Sequence, residues 1–319
     1  MRVVIVGSGL AGVTVAEGLA KSGRHDVALV TRETLGYYSR PRLSHGVALS
    51  DEGAAKIVLK PFDAIAARTV IGEAWLIDRE RQQLVLRDHN PLDYDVLILA
   101  TGSAARIPQA LIPFRPHFLT LNSLDDLLTL RRRRARLLEK KKQPHWAIVG
   151  GGLIGCEIAS DLHKAGDAVT IFHRESRLIE LQLTGNQSQA LDRHFSALGI
   201  QVRYDQNLNE LPRGFDGVIV STGFAPRVEL AKEACLNTGR GILVNGFLRT
   251  EDPGIYAVGD VAEVSGRLYP FVSPIRSQAL WLVEHLEGRT SAPWNPPAFA
   301  PVIKIHGFKP QPEASWPVS

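Results

Sequence analysis

The chain has 319 residues, 45 % of them apolar, enough for roughly two domains with cores of ordinary size. A formal net charge of +4 gives no footing for a nucleic-acid-binding protein. No run of about 18 or more apolar residues is present to span a membrane, and the two cysteines, Cys156 and Cys235, lie too far apart to suggest a disulfide framework or a thiolate metal site. The ten histidines show no paired-ligand spacing, so no metal site is read among them, and each is expected at the surface or satisfied by hydrogen bonds. Sparse cysteine fits a reducing compartment, and a cytoplasmic enzyme is the expectation.

The chain opens on VVIVGSGLAGVTVAEGLAKSG, residues 3–23. Its short apolar run, rich in β-branched residues and bounded by glycine, reads as a buried parallel strand, and a helix with small residues on one face follows. A basic residue before an apolar run also occurs in secretory signals, but the glycine spacing accounts for the pattern better. Gly7 permits a tight turn, Gly9 lets backbone approach a pyrophosphate, and Gly12 lets helix pack closely on strand, while the helix start presents free N–H groups to phosphate. DVALVTRE (26–33) reads as the second strand, ending in Glu33, 21 residues beyond Gly12. A carboxylate at this spacing accepts hydrogen bonds from an adenosine ribose. A slip of register would set Arg32 against the adenine instead.

DYDVLILATG (93–102) is a further buried strand, closing on Ala100-Thr101-Gly102. LNSLDDLLTLRRRRARLLEKKKQ (121–143) then reads as a helix starting near Ser123, with Leu124, Leu127, Leu128, Leu130, Leu137 and Leu138 on one face. Its cations, Arg131 to Arg134, Arg136 and Lys140 to Lys142, read first as the solvated side of a linker helix and second as a surface that steers an acidic protein. Nucleic acid is not expected there, because no aromatic residue interleaves the run.

The opening pattern returns at 146–166 as WAIVGGGLIGCEIASDLHKAG, with Gly150, Gly152 and Gly155 in the same places. One such fingerprint is a weak signal, whereas two, each between a strand and a helix, imply two dinucleotides. After the next strand, AVTIF (168–172), come His173, Arg174 and, three further on, Arg177. An arginine here accommodates the 2′-phosphate of NADPH, and an acidic residue favours the 2′-hydroxyl of NADH. GFDGVIVSTGFAPR (214–227) repeats the closing shape in Ser221-Thr222-Gly223, and Tyr256-Ala257-Val258-Gly259-Asp260 follows. Ser273-Pro274-Ile275 begins a last helix, proline being favoured near a first turn, with Ala279, Leu280, Leu282, Val283 and Leu286 as its apolar face.

Taken with YYSRPRLSHG (37–46), these motifs resemble the pyridine-nucleotide-dependent FAD oxidoreductases over about residues 1–305, and within them the rubredoxin and ferredoxin reductases. The resemblance implies an α/β fold of two doubly wound Rossmann-like domains of the glutathione-reductase type. The FAD domain would comprise 1–104 and 234–290, the inserted NAD(P)H domain 105–233, and 291–319 would be a short tail, the remnant of a third domain, whose Pro-rich terminal stretch 300–319 is expected to be poorly ordered. It assigns Gly7, Gly9, Gly12, Glu33, Arg40, Thr101, Gly102, Asp260 and the Ser273-Pro274-Ile275 helix start to FAD. It assigns Gly150, Gly152, Gly155, His173, Arg174 and Gly223 to the nicotinamide nucleotide, and sets Glu157 where nicotinamide meets flavin. NADH is favoured by the resemblance, NADPH or dual use by His173-Arg174.

The resemblance also implies what the chain does without. Disulfide reductases of this superfamily carry a redox cysteine pair near 37–50, where this chain has none, so electrons would leave directly from FAD to rubredoxin or a similar small iron protein. Many ferredoxin reductases carry a lysine where this chain has His45, so a lysine partner for Glu157 is not expected. An NAD(P)H oxidase or quinone-type reductase and a non-catalytic nucleotide-binding or assembly subunit are the alternatives, and an oligomer is compatible with any of them.

Overall fold

The computed structural model describes residues 1–47, 49–140 and 143–310. Its principal elements in chain order are β1 (Arg2–Val6), α1 (Leu10–Ala20), β2 (Asp26–Thr31), β3 (Arg68–Ile71), β4 (Val96–Leu99), α2 (Leu124–Leu138), β5 (His145–Val149), α3 (Leu153–Lys164), β6 (Ala168–Phe172), α4 (Gly185–Ala197), β7 (Gln201–Arg203), β8 (Gly217–Val220), β9 (Ile255–Ala257) and α5 (Val272–Leu286). The chain forms two compact units. The first comprises Met1–Ser39, Val58–Ala104 and Ala225–Phe299, the second Arg40–Ile57, Ala105–Phe224 and the segment from Ala300.

In the first unit five parallel strands lie in the order β9-β4-β1-β2-β3. The chain runs from β1 to β2 on one side and later returns to β4 on the other, which makes the carboxyl end of β1 the switch point where open α/β sheets bind ligands. Val3 to Val6, Val27 to Val30 and Leu97 to Leu99 are all buried, as strands covered on both faces require. α1 and α5 pack side by side, and Gly18 makes this possible: a Cβ there would lie 2.6 Å from Val283.

The second unit repeats the plan with four parallel strands in the order β7-β6-β5-β8, so that β5 takes the place of β1. Its core includes Trp146, Ile148, Val149, Ile171, Phe172 and Ile219. Thr184 and Gln187 form a capping box at the start of α4, and Ser123 caps α2 by accepting from the Asp126 N–H at 3.1 Å.

The structure departs from the sequence expectations in several places. Residues 40–57 belong with the second unit, the first unit resumes at Ala225, and residues from Ala300 pack into the second unit, with Ile305 and Phe308 buried; residues 311–319 lie outside the described residues. Leu280 is half exposed and is not part of the buried face of α5, where Gln278 stands instead. The arginines of α2 are not simply solvated. Arg131 donates to the Gly46 and Leu49 carbonyls, Arg133 to that of Asp216, and Arg134 binds both oxygens of the buried Asp167, which also accepts from Trp146 Nε1. Leu124, Leu127 and Leu130 are its buried leucines, whereas Leu138 is exposed; Lys141 and Lys142 lie outside the described residues.

Candidate dinucleotide sites

The two glycine loops have the same geometry, atom for atom in their key contacts. Gly7 follows β1 at φ +111°, a conformation that side chains oppose, and a Cβ there would lie 2.2 Å from the Ala100 carbonyl oxygen. Gly150 follows β5 at φ +113°, with the Ser221 carbonyl oxygen at the same 2.2 Å. A Cβ on Gly12 would come within 1.8 Å of the Gly7 oxygen, and one on Gly155 within 1.9 Å of the Gly150 oxygen. These four glycines are therefore demanded by the fold itself.

The middle glycines are different. Gly9 and Gly152 have ordinary negative φ values of −73° and −74°, and a Cβ on either would meet nothing within 4 Å. Each is the residue from which a helix starts, and in neither helix does a side chain cap the free N–H groups. Among the described residues nothing requires glycine at these two positions, whereas close approach of a pyrophosphate does. The cradle thus fits a dinucleotide in each unit.

The closing strands mirror one another as well. Thr101 donates to the Arg227 carbonyl at 2.8 Å, and Thr222 to the Arg106 carbonyl at 2.6 Å. Gly102 and Gly223 stand at φ +69° and +101°. In the first unit Ser103 donates to Asp260 Oδ2 at 2.7 Å, and the Gly259 N–H donates to the buried Gln278 Oε1 at 2.7 Å. A Cβ on Gly259 would lie 3.2 Å from Ala11 in the first turn of α1, so Asp260 stands close to the start of the helix that carries the first cradle. Ser273, Pro274 and Ile275 lie in the first turn of α5, which starts after Phe271.

Where the second strand of each unit ends, the two units part. β2 ends at Thr31, short of Glu33, and Ser8 in the first loop shares a 2.7 Å hydrogen bond with Thr31. Glu33 accepts from Tyr38 at 2.9 Å and stays half exposed. After β6 the equivalent place holds His173, which is buried. Its Nδ1 accepts from the Gly151 N–H at 3.0 Å, and its Nε2 faces the Arg177 carbonyl at 2.9 Å and Glu180 at 3.2 Å. His173 therefore props the glycine loop from behind. Arg174 pairs with Glu175, and the Arg177 guanidinium donates to the carbonyls of Leu183 and Glu180. Burial works to raise the Glu180 carboxyl, but the hydrogen bond from His173 and the nearby Arg177 outweigh it and hold the group below its ordinary range.

Glu157 lies one turn into α3 and is buried. The expectation that it lacks a lysine partner is corrected by the structure: the Lys304 backbone N–H donates to Glu157 Oε1 at 3.1 Å, and Lys304 Nζ lies 3.3 Å from Oε2. The lysine comes from a segment more than a hundred residues downstream, where no spacing argument could find it. Desolvation still dominates and pushes the Glu157 carboxyl above its ordinary range, with Lys304 opposing. Arg40 opens the segment 40–57 of the second unit and so does not share a unit with Gly7. Cys156 is wholly buried, donates to the Gly151 carbonyl at 3.3 Å, and is driven by burial well above the ordinary thiol range.

The family model described as pyridine nucleotide-disulphide oxidoreductase matches residues 1–279. The chain belongs to this family. Like other pyridine nucleotide-disulphide oxidoreductases of its kind, it is an FAD- and pyridine-nucleotide-dependent oxidoreductase. It is 29 % identical to the nitric oxide reductase FlRd-NAD(+) reductase of Salmonella heidelberg (strain SL476), over 99 % of this chain and 89 % of that protein. Among solved structures it is similar to a ferredoxin reductase from Rhodopseudomonas palustris (28 % identical, TM-score 0.83, 92 % of this chain and 78 % of that one). It is also similar to an NADH:rubredoxin oxidoreductase from Clostridium acetobutylicum (25 % identical, TM-score 0.81, 96 % and 80 %). Despite the family's name, the chain has only two cysteines, at 156 and 235, and so no neighbouring pair to form a redox disulfide. Among the described residues no helix is long and apolar enough to cross a membrane.

Proposed function

We propose that the protein oxidises NADH, with FAD in the first unit as the immediate acceptor, and delivers the electrons singly to a small redox protein of the rubredoxin or flavorubredoxin type. The observation that carries this reading is the pair of matched cradles in a chain with no cysteine pair to relay electrons. The relatives named above, two of them reductases of rubredoxin-type proteins or flavorubredoxin, point the same way. NADH is favoured over NADPH because the basic side chains near β6 already have partners: the His173 ring accepts from the glycine loop, Arg174 pairs with Glu175, and Arg177 donates to backbone carbonyls.

When bound, the flavin would supply the chemistry that takes up one hydride, and with it two electrons, and gives those two electrons out one at a time. The protein's own part is to bind, orient and exclude water. Gly7, Gly9 and Gly12, with the start of α1, hold one pyrophosphate; Gly150, Gly152 and Gly155, with the start of α3, hold the other. Asp260, fixed by Ser103, accepts hydrogen bonds from the hydroxyls of the flavin's sugar-alcohol chain. Glu33 reads the adenosine ribose, and Glu157, held by Lys304, orients the nicotinamide end. The hydride step needs no side chain as acid or base, so stacking geometry decides the rate.

The test is anaerobic absorbance of the purified flavoprotein before and after NADH, then after an oxidised rubredoxin. Bleaching by NADH at a lower concentration than NADPH, followed by return of the oxidised spectrum on adding the carrier, is the expected result. Bleaching that is reversed by oxygen but not by the carrier would move the protein to the oxidase class. Bound flavin that NADH cannot reduce would sink the reading altogether.

A further inference from the structure

Three residues from three separate stretches of the second unit meet at one carboxylate. His45 Nδ1 lies 2.9 Å and His306 Nε2 2.7 Å from the same oxygen, Asp161 Oδ1. The three ligand atoms are within 4.8 Å of one another, so closing them on one ion, at bonds of about 2.0–2.2 Å, asks only for side-chain adjustment. Asp161 is 2 % exposed, and its second oxygen, Oδ2, is buried and makes no hydrogen bond, with the buried Ser44 hydroxyl, also unpaired, as the neighbouring donor. Such an atom normally finds a donor or a cation. The two imidazoles are about one-third exposed, which leaves a path for an ion to enter.

The surroundings are built to present this set. Asp161 stands four residues after Glu157 on α3, so the two carboxylates share one face. The segment beyond Ala300 lies along that face. The Lys304 N–H donates to Glu157, the His306 N–H donates to Ser160 Oγ at 2.9 Å, and the Lys304 ammonium reaches the Pro41 carbonyl. Lys164, on the same helix, has its Nζ 3.4 Å from His306 Nδ1 but is exposed and free to swing into solvent. Imidazole and carboxylate together suit zinc-like divalent ions, and three protein ligands leave a coordination position for water.

We infer that His45, Asp161 and His306 form a binding site for a divalent transition-metal ion, which ties the segments 40–57 and 300–310 to α3 and so keeps Lys304 on Glu157. The site is independent of the electron acceptor and of the choice between NADH and NADPH. Positions 45, 161 and 306 have no regular spacing, which is why sequence alone showed no ligand set.

The experiment uses the full-length flavoprotein, free of any affinity tag and stripped with a chelator, titrated with cobalt(II) and with zinc(II) by calorimetry and visible absorbance. One equivalent bound is expected, with affinity lowered by about 100-fold or more in His45→Ala, His306→Ala and Asp161→Asn. His45→Asn and His306→Gln, which keep a hydrogen-bond donor toward Asp161, serve if the alanine variants fold poorly, as judged by flavin content and circular dichroism. X-ray absorption of the wild-type zinc form needs no variant and should show two imidazoles and no sulfur. Stoichiometric binding lost in the variants supports the site. Lack of one-to-one binding in the wild type, binding unchanged in the histidine variants, or sulfur in the first coordination shell overturns it.

Discussion

The two glycine loops of this protein are alike where the fold needs them to be and differ where a ligand is chosen. Gly7 and Gly150, and Gly12 and Gly155, meet the same backbone oxygens at distances equal to within 0.1 Å, because strand, turn and helix can be joined this tightly only without a Cβ. Behind the loops the likeness stops. Ser8 rests on Thr31 in the first unit, and Gly151 rests on the buried ring of His173 in the second. A Cβ on Gly151, the second of three consecutive glycines, would lie 2.6 Å from Leu178 and 2.8 Å from that ring, so this glycine and the histidine go together. Common geometry therefore suits both loops to a pyrophosphate, and the residue after the second strand is where the two units differ.

The largest expected effects come from breaking the shared geometry in one unit at a time. Gly12→Ala drives a Cβ into the Gly7 carbonyl, at a cost of about 3 kcal/mol or more, and should yield protein without flavin, as read by absorbance after purification. Gly155→Ala should leave flavin in place while slowing its anaerobic reduction by NADH at least tenfold in stopped-flow. Asp260→Ala comes next: most of the FAD should be lost on gel filtration while the second unit still binds NADH by calorimetry. Full retention of tightly bound flavin would remove Asp260 from the site.

Titration separates the units in opposite directions. Burial raises Tyr94 in the first unit from 10.0 to about 12. Its unfolded form ionises first, so stability is lost as pH rises from about 10 to 12, by up to about 2 kcal/mol. Tyr94→Phe should flatten that alkaline loss in denaturant melts. In the second unit, His173→Ala removes the prop behind Gly151 and should weaken NADH binding by about tenfold, roughly 1.4 kcal/mol, with flavin content unchanged; Ser8→Ala should do less to FAD. The smallest effect concerns Glu180, whose folded carboxyl is held below its ordinary value of 4.5. Its contribution is full above about pH 4.5 and is lost as pH falls through the folded value. Glu180→Gln should reduce the acid sensitivity of unfolding by about 1 kcal/mol or less, since the group is partly exposed.

Much of this was legible in the sequence, for a physical reason. A strand, a glycine turn and a helix occupy about twenty consecutive residues, so the repeat at 3–23 and 146–166 shows itself directly, as do the buried strands at Val96–Leu99 and Ala168–Phe172. What the sequence hid depends on residues brought together from far apart. Lys304 meets Glu157, and His306 meets Asp161, across more than 140 positions, and no periodicity marks such pairs. The arginines of α2 looked like a charged surface because their partners, two of them backbone carbonyls in 46–49 and a third the carboxylate of Asp167, are also remote. The segment 40–57 was placed with the first nucleotide unit by its position in the chain, whereas packing of Gly46 against Ile57 and Leu127 places it with the second.

The most direct test of the central claim, that the matched cradles hold two different nucleotides, uses the middle glycines, which the protein's own packing does not require. Gly9→Ala and Gly152→Ala should both fold, and flavin content together with anaerobic reduction by NADH should be measured for each. The account predicts that Gly9→Ala loses flavin, while Gly152→Ala keeps it and is reduced only at much higher NADH concentration. Flavin retained in Gly9→Ala and lost in Gly152→Ala, or both functions untouched in both variants, would contradict it.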